Sequence, residues 1–251
     1  MAKSVDIRIV PDPPSLFQAA ADDFVSQATS TVKAQDRFTV ALSGGSTPRG
    51  LFGLLAAQYR ERLPWNKMFF FWGDERHVPP DSSESNYRMA YEALLSKVPV
   101  PPANVFRVPA EDPDASHAAA TYERTLREFF RLPAGAFPRF DLILLGMGPD
   151  GHTASLFPGS SAVADRSHLV VATWVDKFKT DRITFTAPVI NQARVVTFLV
   201  AGADKAATLR EVLEGSQPAE LYPSKLIKPA DGSLIWLMDQ AAAAALSRTT
   251  A

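Results

Sequence analysis

The 251-residue sequence contains no cysteine. Disulfides, thiolate-bound metal and a cysteine nucleophile are therefore excluded. It also lacks an excess of either charge sign: 26 Lys and Arg stand against 27 Asp and Glu, a formal net charge of −1. A protein that grips nucleic acid by its phosphates carries a clear positive excess, so no nucleic-acid partner is expected. No run approaches the roughly 18 apolar residues of a membrane span. The opening MAKSVDIRIV lacks the apolar stretch of a signal peptide. The expectation is a cytoplasmic protein with no membrane partner. What is present is ordinary for a folded globular chain, with 46% hydrophobic and 21% charged residues. No linker, charge block or internal repeat divides the chain, and one domain over residues 1–251 is expected.

Short apolar runs rich in β-branched and aromatic residues recur at 5–10, 38–42, 68–72, 140–145, 169–175, 195–201 and 234–238. Most are apolar on both faces, as strands covered by helices on each side must be. Helical spacing marks 16–32, 49–63, 87–98, 115–130, 203–213 and 239–246, the last containing the alanine run 241–245. Strand alternating with helix predicts a layered α/β fold with a parallel sheet. The proline-rich patches at 11–14 and 98–102 read as loops between elements.

Ligands of open α/β sheets bind beyond the carboxyl ends of strands, so the loops there carry the functional signal. After 38–42 comes Ser43-Gly44-Gly45-Ser46-Thr47-Pro48. Two glycines admit close backbone approach, three hydroxyls add donors, and Thr47 with Pro48 reads as a helix N-cap and first turn. That is an anion cradle, and no Walker loop, since no lysine follows the glycines. A plain capped turn is the competing account. After 68–72 comes Gly73-Asp74-Glu75-Arg76-His77, four ionisable groups in a row behind an apolar strand. A solvated turn with a local ion pair is the bland alternative, and His77 reads as a bystander.

After 140–145 comes Gly146-Met147-Gly148-Pro149-Asp150-Gly151-His152. Its formal match to the dinucleotide fingerprint fails chemically. Asp150 would put negative charge at the pyrophosphate, Pro149 removes a backbone donor, and Pro158 leaves no room for a following helix. Instead, Asp150 lies two residues from His152, placed to fix the imidazole tautomer or to stabilise its protonated form. The late cations Lys177, Lys179, Arg182 and Lys205 could neutralise a bound phosphate or be solvated surface charges.

Together the segments ALSGGSTPRGLF, FFFWGDERHVPPDSSESNYRMAYEALL and FDLILLGMGPDGHTASLFPGS resemble the glucosamine-6-phosphate isomerase/6-phosphogluconolactonase family. The likeness continues through residues 181–185, 202–206 and 235–239 and covers nearly the whole chain. It implies a three-layer α/β/α modified Rossmann-like fold with a mainly parallel central sheet. The deaminase branch carries a glutamate five residues after the histidine; Phe157 stands there in this chain and cannot relay a proton. The lactonase branch implies hydrolysis of 6-phospho-D-glucono-1,5-lactone to 6-phospho-D-gluconate, the second step of the oxidative pentose phosphate route.

On that reading His152 is the general base and Asp150 its orienting partner. Ser43, Gly44, Gly45, Ser46 and Thr47 seat the phosphate, with Arg182 and Lys205 as the cations the resemblance implies. Arg76 serves the phosphate or the oxyanion, and Asp74 and Glu75 hold Arg76 or sugar hydroxyls. No metal and no cofactor is called for, because a lactone carbonyl is already electrophilic. The alternatives are a deaminase or isomerase of the same fold and a non-catalytic sugar-phosphate sensor. A monomer is expected, since nothing resembles an exposed apolar interface helix.

Overall fold

The computed structural model describes residues 5–247. Six strands form one parallel sheet: β1 (Asp6–Val10), β2 (Phe38–Leu42), β3 (Met68–Trp72), β5 (Leu142–Leu145), β8 (Val195–Val200) and β9 (Ser233–Asp239). Their spatial order is β1-β9-β8-β5-β2-β3, with every neighbouring pair parallel. β2 and β5 are buried along their whole length, as continuous apolar runs in a covered sheet require.

The helices close both faces. α1 (Pro13–Gln35) and α2 (Ser46–Gln58) pack on one, where Phe24 meets Phe38 edge-on at 5.7 Å. α4 (Ala115–Phe130) covers the other, where Phe129 meets Phe71 at 5.0 Å. The prolines at 13 and 14 are not in a loop. They open α1 behind the N-cap Asp12, whose carboxylate accepts the Ser15 N–H at 2.8 Å. Proline suits the first helical turn, where its missing N–H is no loss.

Further departures from the sequence expectation involve both strands and helices. The run at 169–175 yields β6 (Val170–Val175), which lies outside the parallel sheet. It pairs antiparallel with β7 (Thr180–Phe185), which in turn pairs with β4 (Asp74–Arg76). Neither β4 nor β7 was legible as a strand: three charged residues have no intrinsic preference for one, and only the pairing makes β4 a strand. The alanine run 241–245 forms turns after β9, and no helix, because Asp239 draws the chain back through the Ala242 N–H at 2.7 Å. The helix expected over 87–98 ends earlier, as α3 (Asn86–Ala93). α5 (Ser161–Ala164), α6 (Ala187–Asn191) and α7 (Ala206–Glu214) are the remaining α-helices among the described residues. Among the described residues no helix is long and apolar enough to cross a membrane.

Candidate active site

β2 and β5 are neighbours, but the chain leaves β2 toward β3 at the sheet edge and leaves β5 toward β8 on the other side. Such a reversal opens a crevice at the carboxyl ends of the strands. A cleft of about 620 Å³ lies there. Its lining includes Ser43, Gly44, Gly45, Ser46, Thr47, Asp74, Arg76, His152, Arg182 and Lys205, so most residues singled out from sequence converge on one space.

The loop after β2 turns into α2 two residues earlier than the sequence implied. Gly45, at φ 103°, is the N-cap and has no side-chain cap, so Thr47 lies inside the first turn. The left-handed φ is a glycine conformation. By helix geometry the N–H groups of Ser46 and Thr47 have no acceptor within the helix and, with the helix dipole, favour an anion. Gly44 is equally constrained: a Cβ there would lie 1.9 Å from Asn86 Oδ1.

The loop after β5 places the pair expected from the Asp-Gly-His spacing. His152 Nδ1 bonds Asp150 Oδ1, and the His152 N–H reaches the same oxygen at 3.3 Å. Lys177 approaches Asp150 Oδ2 at 3.3 Å. Burial alone would raise the Asp150 carboxyl, but the His152 hydrogen bond and charge and the Lys177 contact outweigh it. Asp150 is held well below the usual carboxylate range. An ionised Asp150 makes Nδ1 the donor, which leaves the lone pair of a neutral imidazole on Nε2. Nε2 has no protein partner among the described residues. The loop is stapled by Gly148 N–H to the His152 carbonyl at 2.9 Å and by Ser224 Oγ to the Gly151 carbonyl at 2.9 Å. Gly148 must be glycine, for a Cβ would fall 2.1 Å from His152 Nδ1.

β4 and β7 bring two cations face to face. Arg76 is the cross-strand partner of Arg182. Arg182 is only 9% exposed, and its Nη1 is buried without a hydrogen-bond partner among the described residues. Burial first, and Arg76 second, push its guanidinium below the ordinary arginine value. Like charges directly opposite across strands repel, and a buried unpaired donor is costly. An anion between the two guanidinium groups relieves both. Arg76 is anchored from behind by the Glu84 carbonyl.

Of the two roles expected for Asp74 and Glu75, pairing with the Arg76 guanidinium is not seen among the described residues; Glu75 takes only the Arg76 backbone N–H, at 2.8 Å. Asp74 accepts the Ser155 hydroxyl at 2.7 Å and lines the cleft. Glu75 points the other way and is absent from the lining. It takes the N–H groups of Asn86 at 2.7 Å and Tyr87 at 2.8 Å and the Ser85 hydroxyl at 3.0 Å, capping α3. The alternation of side chains along β4 sends it to the opposite face from its neighbours. Burial pushes its carboxyl up from the ordinary glutamate value.

Of the late cations, Arg182 and Lys205 line the cleft, and Lys205 pairs with Asp204. Lys179 pairs with Asp176 at 3.2 Å, away from it. His77 donates to the Asp112 carbonyl at 2.6 Å and stays outside the lining. Asn86, Ser155 and Phe178 were missed from the residues themselves. Asn86 Nδ2 donates to the Asp74 carbonyl at 3.0 Å while its other end abuts Gly44, linking two cleft loops. A single Asn or Ser carries no local signal of such a role. Among the described residues no group of three or more His, Cys, Asp or Glu is placed to hold a metal ion.

A His–Asp pair beside a dense anion cradle, at the switch point of a parallel sheet, defines a Rossmann-like α/β enzyme for a small anionic substrate. The chain belongs to the family described as glucosamine-6-phosphate isomerases/6-phosphogluconolactonase, whose model matches residues 11–236. It is 45% identical over 247 residues to a 6-phosphogluconolactonase of Nostoc sp., covering 98% of this chain and 100% of that one. It is 45% identical over 242 residues to one of Synechocystis sp., covering 96% and 98%. The solved 6-phosphogluconolactonase of Trypanosoma brucei superposes with a TM-score of 0.87 at 30% identity, over 97% of this chain and 99% of that one.

Proposed function

We propose that this protein hydrolyses 6-phospho-D-glucono-1,5-lactone to 6-phospho-D-gluconate. The observation that carries the reading is the Arg76–Arg182 pair with its unbonded buried Nη1, set in the same cleft as a histidine whose Nε2 is free. One end of the cleft calls for a phosphate and the other offers a base.

The phosphate sits at the start of α2, on Ser43 to Thr47, with Arg182 and Lys205 as counter-charges. Arg76, directly opposite Arg182, shares that anion or turns to the oxyanion. Fixing the phosphate at a distance from the reacting carbon spends binding energy on orienting the carbonyl. His152 Nε2 takes a proton from water as it attacks that carbonyl, and Asp150 steadies the imidazolium. Donors for the tetrahedral oxyanion are the N–H groups of the glycine-containing loops lining the cleft, together with Arg76. The protonated Nε2 then returns its proton to the departing ring oxygen. Asp74, tied to Ser155 and Asn86, is placed for sugar hydroxyls. The deaminase alternative fails at Phe157, which is apolar where that branch carries a proton-relaying glutamate.

A coupled lactonase assay, corrected for spontaneous hydrolysis, tests the proposal. Turnover is expected for the wild type, and His152→Ala should lower kcat by about 10²–10⁴, the usual worth of general acid–base catalysis. Wild-type turnover in His152→Ala removes the histidine from the mechanism. Ammonia release from glucosamine 6-phosphate would move the protein to the deaminase branch.

A further inference from the structure

Phe157 excludes a proton relay, but its ring has a position that this exclusion does not explain. It lies against the His152 imidazole with centroids 4.1 Å apart and planes 25° from parallel. Phe178, in the turn between β6 and β7, meets Phe157 edge-on at 5.9 Å and carries the Arg182 guanidinium 5.2 Å from its own ring. Imidazole, two rings and guanidinium thus form one continuous wall of the cleft.

The backbone is bent to bring this about. Ala154 has φ 47°, the left-handed region that a residue with a Cβ rarely adopts. The bend lets the Leu156 N–H reach the Thr153 carbonyl at 2.9 Å, reversing the chain so that Phe157 returns over His152. Ser155 pins the bend on two sides, accepting nothing locally but giving its N–H to Thr184 Oγ1 at 3.1 Å and its hydroxyl to Asp74 at 2.7 Å. Strained conformations persist where the surroundings over-determine them, and they concentrate at functional sites.

The need for such a support follows from the Asp150 contact. Among the described residues a single hydrogen bond at Nδ1 is the only polar restraint on rotation of the ring about its Cβ–Cγ bond, and any such rotation swings Nε2 through an arc. A flat ring against one face removes that freedom while supplying no competing donor or acceptor.

We propose that Phe157 is a positioning residue for His152, holding the imidazole plane so that Nε2 stays aimed at the attacking water, with Phe178 backing it from the β6–β7 turn. The proposal rests on His152 being the base. Its test therefore has a readout that does not pass through turnover. The chain has four histidines, few enough to assign by replacing each in turn. In proton–carbon NMR spectra the carbon-bound protons of the His152 ring should lie upfield, shielded by the ring current of Phe157, and should return toward ordinary positions in Phe157→Leu.

Kinetically, Phe157→Leu should lower kcat about 10- to 100-fold, the scale of a misplaced reacting group, with KM almost unchanged because the phosphate cradle is intact. Phe157→Tyr, which keeps the ring, should restore most of kcat. If Phe157→Leu loses its melting transition, Phe157→Met, whose flexible thioether fills irregular gaps, takes its place. Full kcat in a folded variant that has lost the upfield shift overturns the proposal, as does a wild type without that shift. An unaffected His152→Ala enzyme sinks the base assignment instead, a result distinguishable from both.

Discussion

Replacing Arg182 by methionine should make the empty protein more stable and the enzyme worse, two effects of opposite sign from one side chain. Arg182 is buried to 9% exposure, faces Arg76 across the β4–β7 pair and has one Nη1 without a partner. A like-charge cross-strand pair costs about 0.2–1 kcal/mol, and an unsatisfied buried donor about 1–3 kcal/mol. Against these stand the attraction of Asp74 and Glu84 and the contact with Phe178, a cation–π term of about 0.5–2 kcal/mol. Methionine fills much of the volume without charge. The balance favours the variant by about 1 kcal/mol, which for a protein of this size raises Tm by about 2–4 °C. With ligand the sign reverses. A charge-assisted hydrogen bond to phosphate is worth about 1.5–3 kcal/mol, so KM for the phosphorylated lactone should rise about 10- to 150-fold. Hydrolysis of unphosphorylated gluconolactone should be almost unchanged. Calorimetry with and without millimolar inorganic phosphate reads both halves: phosphate should raise the wild-type Tm and scarcely move the variant. A variant that melts below the wild type and still responds fully to phosphate would refute the anion-cradle argument.

Three further outcomes follow from the same geometry. Gly148→Ala should cut kcat by about 10²-fold or more through displacement of His152, while the phosphate-induced rise in Tm survives, because the Cβ strikes the imidazole and not the cradle. The Asp150 carboxyl is depressed in the fold, so its contribution to stability is complete above the unfolded value near 3.8 and is lost as pH falls through the lower folded value. Asp150→Asn should therefore show a smaller loss of urea midpoint between pH 5 and pH 3 than the wild type, alongside a lowered kcat; an unchanged acid dependence would contradict the assignment. Glu75→Gln should destabilise the protein by about 1–3 kcal/mol by weakening the cap of α3, with KM for the lactone nearly unaltered. A large KM effect would return Glu75 to the substrate site.

The site was legible in proportion to how local its parts are. Asp150 and His152 meet because two residues and a glycine turn connect them, so their spacing in the chain already implied contact. The Ser-Gly-Gly-Ser-Thr loop carried a signal because the free N–H groups of a helix start favour anions wherever they occur, and the two-residue shift of its cap keeps such N–H groups within the same loop. Glu75 was misplaced because three consecutive charges look alike in a sequence, and nothing local says which of them points into the cleft. That was decided by β7, about a hundred residues later in the chain.

Composition and pattern by themselves determined the absence of thiol chemistry, the buried parallel strands and the chemical character of the loops beyond them. Each of these follows from side-chain chemistry and from periodicities spanning only a few residues. Tertiary structure alone decided that Arg76 would face Arg182, that Glu75 would cap α3, that Lys177 would reach Asp150 and that Phe157 would lie flat on His152. The Arg76, Glu75 and Lys177 contacts join residues brought together by strand register or by distant elements. That of Phe157 needs a strained bend at Ala154, pinned by β4 and β7. Local propensity disfavours such a bend, and only the surrounding fold can hold it.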